Sequence, residues 1–550
     1  MAGKEGWGSR VGLVLAMAGN AVGLGNFLRF PAQAAQNGGG TFLVPYLVSF
    51  VLMGIPLLWV EWAIGRHGGA FGHHSAPGMF HVMGKKRWLK YVGVFGLFTN
   101  LAIAAYYCYI ESWTLSYVFH SLKGTFVAFG HDQAAVSGFF NGYLGVHSDS
   151  LFAVPMQALF FFAVTLALNT WILSRGLARG IELAAKIGMP LLILFAVVLA
   201  VRGLLLGPGD PGVVESPFHG LNFVWNPDLS GLTQPTVWLA AAGQIFFTLS
   251  VGMGCVHCYA AYVSKKQDIA LNAASAGWMN EFVEVILGGT LLIPIATAYM
   301  GLAAVQDATK GGSGFGLGFL TLPTLFNNWG WFAPLAGAMW FGLLFFAGIT
   351  SSLAMGQPIL AFLEDEFGFT RKTSAMTFGG ATFLLGFFCV WLYPGGAFDE
   401  FDFWTGTFSL VVFALLETLV FSFVFGMDKG WEEITRGADL KVPLFFRFVI
   451  QWVTPAFILV VFLGALVQPA GSDWGGAVAG LFQGKGWAFA PGSVVGKLLH
   501  VGEEAPWFGP DGRGTRTLVI DLTRALLSVL FVACGVLVWR AFRRKEAHAR

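Results

Sequence analysis

The sequence predicts an all-α polytopic membrane protein with twelve transmembrane helices, arranged as a 5+5 inverted repeat whose helices one and six are broken. Three observations carry this reading. Of the 550 residues, 56% are hydrophobic and 11% charged, with a mean hydropathy of +0.67; a soluble domain carries roughly a quarter charged residues. Apolar stretches long enough to cross a bilayer, ~20 residues each, recur along the whole chain. The first and sixth of them hold glycine and polar residues at their centres.

The spans read as 10–36, 40–66, 89–119, 151–173, 184–205, 236–262, 270–302, 331–365, 373–393, 403–426, 446–468 and 516–540. Residues 1–9 form a terminal segment, 10–205 repeat one and 206–235 a loop. Repeat two is 236–426, and 446–540 holds the last two spans around a long loop, 469–515, before a basic tail, 541–550. That long loop reads equally as an ordered cap or a floppy connection. Arg66, Lys85, Lys86, Arg87 and Lys90 lie between spans two and three. Arg175 and Arg179, Lys265 and Lys266, Arg371 and Lys372, and the tail arginines all fall on the same side. The positive-inside rule makes that side cytoplasmic, with both termini there. The expected setting is the plasma membrane of a prokaryote. No cleavable signal peptide is expected, because the first apolar run is too long and too polar at its centre. Net charge near +2 gives no sign of nucleic-acid binding.

Span one centres on Gly19-Asn-Ala-Val-Gly-Leu-Gly-Asn26. Lipid cannot satisfy exposed backbone groups, so broken helix is tolerated only against protein or a wet cavity, where its carbonyls and amides can hold ions and small molecules. Gly19 and Gly23 also form a small-xxx-small packing pair, and these residues alone leave both readings open. Span six repeats the pattern with Thr248-Leu-Ser-Val-Gly-Met-Gly254. Interruptions five spans apart are the mark of an inverted repeat with a transport site between its halves.

Other polar residues sit at membrane depth: Tyr107 and Glu111 in span three, Asn280, Glu281 and Glu284 in span seven, and Thr350-Ser351-Ser352 in span eight. They offer many neutral oxygens and few fixed charges, which suits a hard monovalent cation such as Na⁺. Glu61, Glu111 and Glu417 read first as hydrogen-bonded structural carboxyls and second as proton relays. Arg29 lies ~15 Å from Gly19 along the helix and needs a partner, for which Asp402 is the candidate. Lys4 and Trp7 before span one and Asp365 at the end of span eight form a corresponding set on the other side, although Lys4 reads equally as a solvated surface charge. The five cysteines all fall in apolar segments, so no disulfide framework is expected. Cys255-Val-His257-Cys258 lacks further ligands for structural zinc, and His257 reads as a packed helix residue. No HExxH and no GxxxxGK[ST] loop occurs, so neither metalloprotease chemistry nor ATP use is indicated, and no enzyme is expected.

Asn20-Ala-Val-Gly-Leu-Gly-Asn-Phe-Leu-Arg-Phe-Pro31, Gly38-Gly-Gly-Thr-Phe-Leu-Val-Pro-Tyr46, Gly243-Gln-Ile-Phe-Phe-Thr-Leu-Ser250 and Asp402-Phe-Trp404 closely resemble the neurotransmitter:sodium symporter family, its bacterial leucine transporter in particular. The likeness runs from about Trp7 to about residue 468. It implies two sodium sites. One would use the Ala21 carbonyl, Asn26, Thr248, Asn280 and the substrate carboxylate. The other would use carbonyls of Gly19, Val22 and Ala347 with hydroxyls of Thr350 and Ser351. The resemblance places the substrate against Asn20, Ala21, Leu24, Gly25, Tyr107, Phe247, Thr248 and Ser250, with its side chain among Ile103, Phe247, Ser250, Met253, Ser351 and Met355.

Family members that carry monoamines have an aspartate where this chain has Gly23, and chloride-dependent ones a serine where it has Glu284. The resemblance therefore implies a substrate with its own carboxylate, and a fixed carboxylate in place of chloride. Met253 replaces an aromatic of closer relatives, and Lys4 an arginine. The expected function is Na⁺-coupled import of a hydrophobic amino acid, aliphatic or thioether, by alternating access. Outer closure would involve Arg29, Asp402, Tyr107 and Phe247; inner closure Lys4, Trp7, Tyr262 and Asp365. A receptor that binds without transporting is the alternative, and intact gates on both sides favour transport. No nucleotide or transition metal is expected, and a homodimer is left open.

Overall fold

The computed structural model describes residues 6–84, 86–146, 153–309, 314–439, 441–502 and 512–548. Among them the regular structure is helical throughout, with one isolated antiparallel bridge, Pro469–Phe489. Ten helices among the described residues are long and apolar enough to span a membrane. Two shorter apolar helices, Arg10–Ala21 and Pro235–Leu249, are the first halves of the broken spans one and six. Twelve crossings result, as the sequence predicts.

Span one stops at Ala21, passes through Val22 and an extended Gly23 (φ −122°, ψ −170°), and resumes as Leu24–Phe27 and Arg29–Gln36. Span six stops at Leu249 and restarts as Cys255–Ala260. Between them Ser250, Gly252 and Gly254 all have positive φ, at 52°, 70° and 96°. Glycine adopts that conformation without steric cost. Ser250 does so only because the surrounding packing demands it.

Several spans extend beyond the predicted bounds. Span five starts at Leu177 rather than 184, directly after Gly176, and span ten at Ala397 rather than 403. In both cases polar residues at the helix end (Arg179, Asp399) join the helix, which a hydropathy reading excludes. Spans three (Arg87–Leu122) and eight (Ala333–Phe367) pack along each other, with small residues at the contact: a Cβ on Gly348 would meet Glu111 and one on Gly337 would meet Ser121. Close backbone approach of this kind drives helix association in lipid. Span three is 89% buried over its apolar window and span twelve 28%, so span three is central and span twelve peripheral.

The segment before span one is held down by Glu182 of span five, which accepts from Gly8 N at 2.7 Å and Ser9 Oγ at 2.8 Å. Loop 206–235 folds onto span seven, where Val214 N donates to Ala298 O at 2.8 Å. Residues 469–502 are ordered as a cap with helices Trp474–Phe482 and Val494–Leu498. The cap is pinned by Trp487 Nε1 on Val467 O and by Lys497 on Glu400, at 2.9 and 3.2 Å.

Candidate functional site at the helix breaks

The two breaks face each other in the middle of the protein. Ser250 Oγ donates to Asn20 O at 3.0 Å, joining them directly. Around this contact the residues singled out from sequence gather into three groups.

The first group surrounds Asn26. Its Oδ1 accepts from Gly23 N at 2.8 Å, and its Nδ2 donates to Asn280 Oδ1 at 2.8 Å and to Glu284 Oε2 at 3.0 Å. Thr248 Oγ1 donates to Glu284, and Asn280 Nδ2 donates to Thr248 Oγ1 at 3.0 Å. Ala21 lines the same cavity as Asn26 and Thr248. Span seven widens into a π-helical stretch, Phe282–Gly288, at this point, as helices often do at functional sites. Gln244 Nε2 completes the circle, donating to Glu284 Oε1 at 2.6 Å.

The second group surrounds Ser351. Its hydroxyl has four carbonyls in reach: Gly19, Asn20 and Val22 at 3.3–3.4 Å and Ala347 at 3.2 Å. Thr350 Oγ1 lies 3.2 Å from Ala347 O. A Cβ on Gly19 would come within 3.0 Å of Thr350 Cβ, so this glycine lets the chains approach.

The third group lines a small cavity of about 20 Å³ that includes Ile103, Tyr107, Phe247, Ser250, Met253 and Met355. Leu24 N donates to Tyr107 Oη at 3.2 Å. A Cβ on Gly23 would lie 2.7 Å from Tyr107 Oη, and one on Gly25 would lie 2.5 Å from the Phe247 ring. Both glycines are therefore set by side chains packed on bare backbone.

Phe247 and Tyr107 divide this cavity from a vestibule of about 720 Å³ lined by Arg29, Tyr106 and Asp402. Here one expectation is corrected. Among the described residues no ion pair joins Arg29 to Asp402. Instead the Arg29 guanidinium sits 4.5 Å from the Phe247 ring centre, and Asp402 Oδ1 accepts from Tyr106 Oη at 2.8 Å. Each charge thus has a neutral partner of its own, a cation–π contact for one and a phenol for the other.

On the opposite face Lys4 lies outside the described residues. Asp365 accepts from His74 N at 2.7 Å and faces His74 Nδ1 at 3.2 Å, while the His74 ring stacks on Tyr262 at 4.4 Å. Gln357 Nε2 donates to Tyr262 Oη at 3.1 Å, and Trp7 Nε1 donates to Tyr259 O at 3.1 Å. Sequence reasoning missed His74, because its loop carries no span signal. It also missed Thr99 and Asn100, which donate to Met253 O at 3.1 and 2.6 Å and hold the broken segment of span six. A polar pair inside apolar span three was the available clue.

A family model described as the sodium:neurotransmitter symporter family matches residues 4–131 and 126–477. The chain belongs to this family. Among similar symporters, an uncharacterised sodium-dependent transporter of Methanocaldococcus jannaschii is 30% identical over 474 residues, covering 84% of this chain and 90% of the other. The sodium-dependent nutrient amino acid transporter 1 of Drosophila melanogaster is 24% identical, covering 84% and 78%. The crystal structure of the transporter MhsT in complex with L-phenylalanine superposes with a TM-score of 0.70 at 32% identity, covering 84% of this symporter and 99% of that chain. The chain is thus a multi-pass membrane protein of a sodium-dependent transporter family. Its relatives are transporters, not enzymes.

Proposed function

We propose that this symporter imports hydrophobic α-amino acids, aliphatic or thioether, together with Na⁺ by alternating access around the two helix breaks. The observation that carries the reading is the pair of oxygen-rich groups flanking one small apolar cavity, built on the same two breaks. Asn26, Thr248, Asn280 and the Ala21 carbonyl would hold one Na⁺, and Gly19, Val22, Ala347, Thr350 and Ser351 a second. These are neutral oxygens of the kind a hard monovalent cation selects.

The substrate carboxylate would meet the amides of Leu24 and Gly25 at the positive start of a half-helix, with the Tyr107 hydroxyl beside it. It would also complete the first sodium site, so ion and substrate stabilise each other's binding reciprocally. The tight contact of Gly23 with Tyr107 supports a substrate that brings this carboxylate itself. The apolar lining disfavours charged side chains, because nothing there replaces their hydration. Met253 adapts its shape, and the L-phenylalanine bound by MhsT makes an aromatic substrate worth including in any panel.

Glu284, already ringed by Asn26, Thr248, Asn280 and Gln244, supplies a fixed negative charge beside the first site and makes chloride dispensable. Arg29, Phe247, Tyr106 and Asp402 form the outer gate. Trp7, Tyr262, His74 and Asp365 form the inner one, on the cytoplasmic face with both termini.

Uptake of radiolabelled L-leucine into proteoliposomes, with and without an inward Na⁺ gradient, tests the reading. Unlabelled leucine, methionine and phenylalanine serve as competitors. Na⁺-driven accumulation supports symport. Saturable Na⁺-dependent binding without accumulation overturns it in favour of a receptor.

A further inference from the structure

Three ionisable side chains meet in the core, apart from the groups above. Glu61 of span two, His257 of the second half of span six and Glu417 of span ten each have 0% exposure. One ligand atom of each lies within 4.8 Å of the others, and among the described residues no other trio of His, Cys, Asp or Glu converges in this way. Neither Cys255 nor Cys258 belongs to it. The sequence carries no metal motif for this trio because its members stand on three separate spans. Glu61 Oε2, both ring nitrogens and both Glu417 oxygens lack a partner in hydrogen-bonding geometry. Buried polar atoms are nearly always satisfied, so unmatched atoms on three facing side chains point to an ion held between them.

The donor set selects which ion. Among the described residues no lysine or arginine pairs with either carboxylate. Carboxylates at this depth need their charge cancelled, and one divalent cation cancels both at once. An imidazole nitrogen beside carboxylate oxygens suits zinc and its transition-series neighbours, whereas magnesium and calcium take oxygen ligands. Around a tetrahedral zinc with bonds of ~2.0 Å, ligand atoms stand about 3.3 Å apart. Glu417 Oε2 lies 3.3 Å from His257 Nε2, and Glu61 Oε2 lies 3.7 Å from Nδ1. Small rotations of the ring and the carboxylates therefore close the set around one nitrogen. A bridging proton instead needs atoms aligned in pairs, and none of these unmatched atoms is so aligned. Glu61 Oε1 accepts from Gly252 N at 2.5 Å, an outer hydrogen bond of the kind that orients a ligating carboxylate. The rings of Phe80 and Phe413 pack against the imidazole, at 6.0 and 5.9 Å between centres.

We propose that Glu61, His257 and Glu417 form a divalent transition-metal site, with three protein ligands and a fourth position for water. The ion ties spans two and ten to the second half of span six. Gly252 lies in the broken segment and the next residue, Met253, lines the central cavity, so the ion braces the break from behind. The site shares no residue with the two oxygen-rich groups and does not depend on the transport reading.

For the test, the full chain is expressed with ZnCl₂ in the medium and purified in detergent through a tag free of histidine. Its metal content is measured by inductively coupled plasma mass spectrometry, beside His257→Leu and Glu417→Gln. About one zinc per chain is expected, and at least about tenfold less in either variant. Stripping the ion with a chelator should lower the Tm of the unsubstituted protein by several degrees and leave that of the variants in place. Protein expressed with CoCl₂ instead should show the visible absorption of a tetrahedral ion, again lost in the variants. Gel filtration identifies a misfolded variant, and the other then carries the comparison; if both misfold, the cobalt spectrum of the unsubstituted protein decides. A folded unsubstituted protein that holds neither zinc nor cobalt overturns the proposal and leaves the trio to protons. Zinc retained in full by a folded variant overturns it as well, as metal bound elsewhere. Absence of Na⁺-driven uptake counts against the transport reading alone.

Discussion

The Ser250 hydroxyl donates to the Asn20 carbonyl at 3.0 Å, so the break in span six is tied directly to the backbone of the break in span one. Asn20 O loses its helical partner because span one ends there, and Ser250 reaches it only from its left-handed backbone conformation (φ 52°). Two irregular segments thus satisfy each other's backbone, as the membrane interior requires.

Removing that bond should weaken ligand binding without unfolding the protein. A buried hydrogen bond is worth about 1 kcal/mol net, so Ser250→Ala should raise the apparent Kd for L-leucine about fivefold. A scintillation-proximity binding assay in saturating Na⁺ checks this, with thermal unfolding as the control. An unchanged Kd would mean the bond plays no part in shaping the site.

Asn26 contacts Gly23, Asn280 and Glu284 at once. Asn26→Ala should therefore weaken Na⁺ and substrate together, each by at least about tenfold, equivalent to ~1.4 kcal/mol. Na⁺ titration of L-leucine binding measures both. Unaltered Na⁺ dependence would argue against the first sodium site.

Space at Gly23 is set by Tyr107, whose Oη would lie 2.7 Å from an added Cβ. Gly23→Ala should push the phenol away and cut L-leucine uptake by about tenfold or more, since strain of 1–3 kcal/mol is typical of overpacking. Restoring space with Gly23→Ala/Tyr107→Phe should not recover activity, because the proposed carboxylate contact goes with the hydroxyl. Full recovery would show that crowding alone was at fault.

Arg29 rests on the Phe247 ring rather than on Asp402. Arg29→Ala should leave L-leucine binding within about fivefold, as one cation–π contact beside a wet vestibule is worth roughly 0.5–1 kcal/mol, yet sharply reduce accumulation. Parallel binding and uptake assays separate the two. Equal losses in both would place Arg29 in binding rather than in gating.

Replacing chloride by gluconate on both sides of the vesicle should leave uptake unchanged if the Glu284 carboxyl group, contacted by Asn26 and Thr248, stands in for chloride as proposed. A strict chloride requirement would remove that role from Glu284.

Much of this protein was legible in its sequence because lipid imposes rules that soluble proteins escape. Glycine and asparagine cannot interrupt a membrane helix without a reason, so Gly19–Asn26 and Thr248–Gly254 announced the breaks, and twelve spans followed from length and hydropathy. Of the residues singled out from sequence, Ser351 comes to lie among four carbonyls and Asn26 beside Asn280. What only the tertiary structure decided is which faces of separate helices meet. Arg29 chose Phe247 over Asp402, Asp365 took His74, and Asn100 caught the Met253 carbonyl. His257, a plain packed residue by its apolar neighbours, came to lie against Glu61 and Glu417 on two other spans. Such pairings depend on helix rotation and packing angle, which local composition does not encode and only the assembled bundle sets.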